Sequence, residues 1–225
     1  MMRVKVKICG ITRREDLEAA CSLGADMVGF IVGIPSSPRN LSLERAKALL
    51  RLVPESVKSV LVMAPNNPTQ VLEAYKRLKP SVIQLHGSIS LDFGFLRDKL
   101  PDLMLIGALP IVGAETVERA KHTAAFFDGI LADSYAAGKH GGTGVTHDWL
   151  ISRRVRDAIY PKPLILAGGL NPENVKEAIE VVRPYAVDVS TGVESSPGIK
   201  DPGKMEAFIK RAKETVFDDY NCLRL

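Results

Sequence analysis

V-K-V-K-I-C-G-I-T, residues 4–12, reads as a strand that ends in a turn into a helix. Val4, Val6 and Ile8 alternate with Lys5 and Lys7, Gly10 frees the backbone to turn, and Thr12 with Glu15 forms a capping-box pattern. The unit sets Cys9 at the C-terminal tip of a strand, where α/β enzymes commonly place reactive groups. A free cysteine is more often a small buried hydrophobe with no chemistry to do, and this stretch alone leaves both readings open.

The same strand-then-helix pattern recurs about once every 28 residues, eight times in all. Strands are predicted at 4–8, 26–32, 57–63, 81–85, 103–107, 127–131, 163–167 and 186–190, each a short run rich in Val, Ile or Leu. Continuous apolar runs are what parallel strands covered on both faces require. The helix starts are chemically signposted by Ser42, Asn67-Pro68, Asn171-Pro172 and Asp201-Pro202, each a good N-cap residue before a compatible first turn. Residues 113–122 offer only a short fifth helix. Eight consecutive units without a break in composition predict an α/β fold: a single (β/α)8 TIM barrel with a closed, eight-stranded parallel sheet over residues 1–217. An open doubly wound sheet would more usually carry G-x-G-x-x-G after its first strand, and none is present. Residues 218–225, D-D-Y-N-C-L-R-L, form a C-terminal tail, either disordered or a packing strap.

Composition narrows the partners. The 225 residues have a mean hydropathy near zero and a net charge of +4 from scattered lysines and arginines. No basic run marks a nucleic-acid arm, while a modest positive balance suits a small anionic substrate. Cys9, Cys21 and Cys222 show neither C-x-x-C nor zinc spacing, so neither a disulfide framework nor a metal site is expected, and a reducing cytoplasm fits. No apolar stretch is long enough to span a membrane, and lysines interrupt any N-terminal signal core.

Barrel chemistry belongs on the loops after the strands. A-G-G-L-N-P-E-N-V follows the seventh strand, where Gly168 and Gly169 let backbone N–H groups approach a ligand. D-V-S-T-G-V-E follows the eighth, where Ser190, Thr191 and Gly192 add amides and hydroxyls. Glycines on these two loops form the phosphate site of many such barrels, though they also serve plain tight turns. Asp133 sits at the tip of the sixth strand, where desolvation would raise its pKa as a proton donor needs, or it is an ordinary cap or loop acid. The glycine run 141–144 behind it, including Gly142, reads as a hinge or a close approach to ligand. Arg39, on the proline-stiffened loop after the second strand, suits bidentate capture of a carboxylate. Gln84 and His86 follow the fourth strand, and Trp149 reads as packing on the sixth helix.

Taken in order, K-I-C-G-I-T, S-P-R-x-x-S, Q-L-H-G, L-A-D-S with G-G-T-G, A-G-G-L-N-P-E-N-V and D-V-S-T-G-V-E closely resemble the phosphoribosylanthranilate isomerase family from residue 3 to about 216. The resemblance implies a cofactor-free (β/α)8 barrel of tryptophan biosynthesis. It would convert N-(5-phosphoribosyl)anthranilate to 1-(2-carboxyphenylamino)-1-deoxyribulose 5-phosphate by an Amadori rearrangement. By resemblance, Asp133 is the general acid at the ring oxygen and Cys9 the general base at the sugar C2. A thiolate base calls for positive charge nearby, from Lys7 or the developing iminium. Arg39 matches the arginine that holds the anthranilate carboxylate, and Gly168, Gly169, Thr191 and Gly192 match the phosphate loops. Gln84, Asp188 and Gly142 are supporting positions, and for Asp188 a purely structural role is equally open. The family implies a phosphorylated small-molecule substrate, no nucleic-acid or membrane partner, and a monomer or homodimer.

Two segments depart from the family pattern: L-V-M-A-P-N-N in the third unit, where relatives more often carry an F-V-N-like sequence, and V-G-I-P after the second strand, where an aromatic is common. Two other classes remain to weigh. A histidine-pathway isomerase would carry a carboxylate where Cys9 stands and a second phosphate site, and an epimerase of this fold would need a metal cage that four scattered histidines do not supply. A non-catalytic phosphometabolite binder would need neither Cys9 nor Asp133.

Overall fold

The structure is a computed structural model that describes residues 2–87, 92–134 and 146–217. Among the described residues, eight parallel barrel strands alternate with eight α-helices. The strands are β1 (Lys5–Ile8), β2 (Met27–Val32), β3 (Lys58–Met63), β4 (Val82–Leu85), β5 (Met104–Ile111), β6 (Gly129–Ser134), β7 (Leu164–Leu166) and β8 (Ala186–Val189). The helices are α1 (Arg14–Ser22), α2 (Leu43–Leu50), α3 (Pro68–Leu78), α4 (Phe93–Lys99), α5 (Thr116–Ala124), α6 (Trp149–Ile159), α7 (Val175–Val182) and α8 (Pro202–Glu214). Each strand pairs with the next, and β8 pairs with β1 in the register Lys7↔Asp188, so the sheet closes into the expected (β/α)8 barrel. Gly142 and the tail 218–225 lie outside the described residues.

Two apolar layers hold the barrel. Val4, Val6 and Ile8 face outward into a large core shared with the helices, together with Phe30, Leu61 and Phe208. A smaller cluster fills the lumen: Met27, Val60, Val82, Ile106, Leu131, Ile165 and Ala186, with Cys9 at its edge. The alternation along β1 therefore sorts two interiors, and its lysine phase points into the lumen, where Lys7 is fully buried. Outside the barrel, Met2–Arg3 pairs antiparallel with Val216–Phe217, and a ribbon of Glu194–Ser196 with Ile199–Lys200 follows β8.

Most caps form as the residue types require. Ser42 accepts from the Arg45 N–H, Asn67 from Gln70 and Asp201 from Lys204. Two starts differ. The Thr12–Glu15 capping box does not form: Thr12 Oγ1 donates to the Gly198 carbonyl at 2.5 Å, while Glu15 pairs with Arg13 at 3.3 Å. The seventh helix begins at Val175 rather than after Asn171, whose side chain accepts from the N–H groups of Glu173 and Asn174 in a preceding turn. Strand edges also move. Phe127 leaves the sixth strand to stack in a T-shape with Phe93 (centroids 4.9 Å apart), and the Asp128 carboxylate takes the Leu105 N–H at 2.7 Å, so β6 starts at Gly129 and carries Asp133 within it. No helix among the described residues is long and apolar enough to cross a membrane.

Phe208 seats α8 in the outer core and is fully buried. Phe208→Ala should cost ~3–5 kcal/mol in urea unfolding; a loss below ~1 kcal/mol would mean that α8 is not part of the cooperative core.

Candidate active site

A cleft of about 410 Å³ opens at the C-terminal ends of the strands. Its wall brings together Cys9, Arg39, Gln84, Asp133, Gly168, Gly169, Asp188 and Thr191 from six different strands or their loops. Gly192 stands apart. It packs the loop after β8 onto the loop after β7, where a Cβ would strike the Leu170 carbonyl oxygen.

Cys9 leaves β1 with its N–H donated to Val189 O at 2.8 Å. Its Sγ lies over Gly29 of β2, where a Cβ would approach to 2.8 Å. Gly10 turns the chain at φ +75°, and any side chain there would meet Arg39 Cδ and the Ser190 hydroxyl within 2.9 Å. Burial pushes the Cys9 thiol above its ordinary value, Lys7 pulls it down, Asp188 pushes it up and Lys200 pulls it down again. The net shift is upward, unlike the depressed thiol that a thiolate base requires, because desolvation outweighs the neighbouring cations.

Asp133 is pushed up to about 6, chiefly by burial and then by the neighbouring Asp188. The Ser134 N–H, 2.8 Å from Asp133 Oδ1, and Lys7 oppose the shift. Next along β6, the Ser134 hydroxyl meets His147 Nδ1 at 3.1 Å, and His147 Nε2 meets Ser152 Oγ at 2.6 Å. Burial pushes His147 down to about 4, so it is neutral near pH 7 and ties the acid-bearing strand to α6 without adding charge. Trp149 packs against the outer core at the start of α6.

Arg39 is not the free fork expected from sequence. It is nearly buried, and Nε and Nη2 form a bidentate pair with Glu194 at 2.7 and 2.5 Å. Lys200 Nζ shares the same carboxylate at 2.9 Å and also donates to Ser190 O at 3.1 Å. The site thus holds two cations against one carboxylate. Glu194 and Lys200 went unassigned in the sequence, although Glu194 closes the motif D-V-S-T-G-V-E; nothing in spacing shows that a ribbon folds it back onto Arg39.

The wall of the cleft after β7 and β8 is built largely from backbone. Gly168 and Gly169 have φ of +84° and +67°, and a Cβ on Gly168 would strike Ser134. Asn174 Nδ2 holds the Gly169 carbonyl at 3.0 Å, which fixes the turn. After β8, Thr191–Val193 makes a single 3-10 turn. The Ser190 hydroxyl is buried against the cleft with no hydrogen-bond partner among the described residues. Among the described residues no group of three or more His, Cys, Asp or Glu is arranged to hold a metal ion.

Comparison with known proteins points one way. The sequence model of a family described as N-(5'-phosphoribosyl)anthranilate (PRA) isomerase matches residues 6–211. A Methanosarcina mazei protein named N-(5'-phosphoribosyl)anthranilate isomerase 1 is 41% identical over 227 residues, covering 94% of this chain and 96% of its own. A Methanocella arvoryzae protein named N-(5'-phosphoribosyl)anthranilate isomerase is 40% identical, covering 94% of this chain and 99% of its own. The crystal structure of phosphoribosyl anthranilate isomerase from Thermotoga maritima superposes with a TM-score of 0.82 at 39% identity, covering 93% of this chain and 98% of that one. A related structure in complex with reduced 1-(o-carboxyphenylamino)-1-deoxyribulose 5-phosphate gives a TM-score of 0.79 at 37% identity, with the same coverage.

The raised Asp133 carries a stability cost with a definite sign. The native state holds this proton more tightly than the unfolded chain, so stability falls as pH rises from the ordinary 3.8 through about 6 and stays lower above it. Asp133→Asn keeps an acceptor for the Ser134 N–H and should add up to ~3 kcal/mol near neutral pH and nothing below about pH 4. Urea titrations at both pH values check this; equal neutral-pH stability would mean that the carboxyl is not desolvated.

Proposed function

The chain belongs to the N-(5'-phosphoribosyl)anthranilate isomerase family, an aldose–ketose isomerase of the Amadori type in tryptophan biosynthesis, and from that premise we propose how its own residues divide the reaction. One observation carries the assignment: a thiol from β1 and a carboxyl from β6 share a cleft whose third wall is the paired turn after β7 and β8.

Asp133 donates its proton to the ribose ring oxygen as the C1–O bond breaks and the anthranilate nitrogen lone pair forms the C1=N iminium. A carboxyl raised to about 6 retains enough of its acid form near neutrality for this step. The Cys9 thiolate then removes the C2 proton. The electron pair left on C2 forms the C1=C2 bond, and the iminium becomes a neutral enolamine. Transfer of the C2 hydroxyl proton toward C1 completes the ketone. The iminium both acidifies C2–H and adds a cation beside a thiol that burial otherwise discourages from ionising.

Binding uses the two ends of the cleft. The remaining donors of Arg39, held by Glu194, face the anthranilate carboxylate, and the surplus of one positive charge in that cluster favours an anion there. Backbone amides around Gly168, Gly169, Thr191 and Gly192 take the phosphate. Gln84 and Asp188 support the lumen from behind, and for Gly142, outside the described residues, the hinge and ligand-approach readings of the sequence both stand. The departures at residues 61–67 and 32–35 leave Val62 and Ile34, beside Ile31, as apolar lining where the anthranilate ring would lie. We place the reaction in the cytoplasm, on a small phosphorylated substrate without nucleic acid, by a monomer or homodimer; the Thermotoga maritima relative is described as dimeric, with monomers generated from it.

Substrate generated in situ from anthranilate and phosphoribosyl pyrophosphate by a coupling transferase can be followed by its loss of fluorescence. Cys9→Ser and Asp133→Asn should each lower kcat by roughly 10²–10⁴-fold or more, and wild-type kcat in either removes that residue from its role. Arg39→Met should act mainly on KM. The reacting form needs protonated Asp133 with ionised Cys9. With the acid near 6 and burial pushing the thiol up, that form is a minority whose share grows with pH until Asp133 begins to ionise. kcat/KM should therefore climb to about pH 6 and then level off.

A further inference from the structure

Lys7 is fully buried in the lumen, yet the acid–base scheme gives its amine no proton to carry. Its Nζ donates to Asp188 Oδ1 at 3.0 Å and to Gln84 Oε1 at 2.9 Å, and Gln84 Nε2 is engaged in turn by His86 Nε2 at 2.8 Å. Lys7 and Asp188 are direct register partners across the seam between β1 and β8. A buried ion pair of this kind is poor ground for stability, because two apolar side chains of similar volume commonly serve as well or better. Its position suggests other work. Cys9 lies two residues beyond Lys7 on the same face of β1, and Asp188 and Asp133 both line the cleft.

Resting on the assignment of Cys9 and Asp133 above, we propose that Lys7 and Asp188 are positioning residues: an oriented charge pair that favours the thiolate on Cys9 and keeps Asp133 supplied with its proton. One neutral pair does both because its two ends act unequally at the two sites. At Cys9 the influence of the Lys7 ammonium exceeds that of the Asp188 carboxylate, and at Asp133 the order reverses. The other charges facing Cys9 are Lys200 from the ribbon and Arg39 from the loop after β2, both already shared with Glu194. Those acting on Asp133 are Asp188 and, more weakly, Lys7, and His86 also lines the cleft. Gln84 holds the ammonium from a third strand without adding charge, so the pair stays aligned and is not diluted by another ion.

The thiol can be read independently of turnover. In a Cys21→Ser, Cys222→Ser background, Cys9 is the single cysteine, and its alkylation by iodoacetamide across pH reports its ionisation. Lys7→Met should move the titration up by about one unit and slow alkylation about tenfold below the midpoint, while Asp188→Asn should move it down and speed alkylation by a similar factor. Asp188→Asn should also shift the acid limb of kcat/KM below that of the wild type. General damage to the site would not move the two variants in opposite directions. Shifts of the same sign, or none, overturn the proposal. Should Lys7→Met fail to fold, the paired replacement Lys7→Met with Asp188→Leu removes both charges together; it should fold and lose about 10²-fold or more in kcat, and wild-type kcat and pH limbs would overturn the proposal. Opposite alkylation shifts with a fully active Cys9→Ser enzyme would leave the charge pair standing and retire Cys9 as the base.

Discussion

The seam that joins the last strand to the first sets the terms for everything above it. Hydrogen bonding in the register Lys7↔Asp188 closes the sheet, and closure gives every strand a covered face on each side. An inward side chain must then either fill the lumen or find a partner inside it. Over most of the barrel's depth Val60, Val82, Ile106 and Ile165 fill it. At the upper layer the lumen turns polar, and the side chains there satisfy one another: Lys7 with Asp188 and Gln84, Gln84 with His86. The apolar plug beneath keeps the dielectric low enough for these charges to be felt by Cys9 and Asp133.

A second charge cluster handles the opposite problem. An arginine left loose at the mouth of a cleft would lose side-chain entropy on each binding event. Glu194 takes that cost at folding by gripping two of the guanidinium donors, and Lys200 keeps the cluster from becoming electrically neutral. The ribbon that carries both residues is pinned by Thr12 and by Asp16, whose carboxylate accepts the Lys200 N–H at 3.1 Å. The loop opening the first helix thereby supports a site contact made after the second strand.

Much of this was legible in the chain because barrel strands announce themselves as apolar runs and helix starts as Ser, Asn or Asp. The element count, the closure and the gathering of Cys9, Asp133, Arg39 and the glycine turns all follow from that pattern and from the ordered motifs. What stayed hidden depends on contacts far apart in sequence. Thr12 is a good cap residue by type, but Gly198 competes for its hydroxyl. Asn171 is a good cap as well, yet its carboxamide closes a turn one step ahead of the helix. Lys7 is readable as a charge near Cys9, but its partners Asp188 and Gln84 come from two other strands and meet it only once the sheet closes. His147 gave no signal at all, since its partners Ser134 and Ser152 come from a strand and a helix on either side of it.

The antiparallel pairing of Met2–Arg3 with Val216–Phe217 gives the molecule a property of topology rather than chemistry. The start of the first unit and the end of the last are hydrogen-bonded neighbours at the entry end of β1, away from the strand tips that bear the cleft. The eight units therefore form a cycle that the covalent chain happens to open at one place. A different opening, with the segments Met2–Arg3 and Val216–Phe217 joined by a short connection, would leave every strand neighbour and every wall of the cleft where it is.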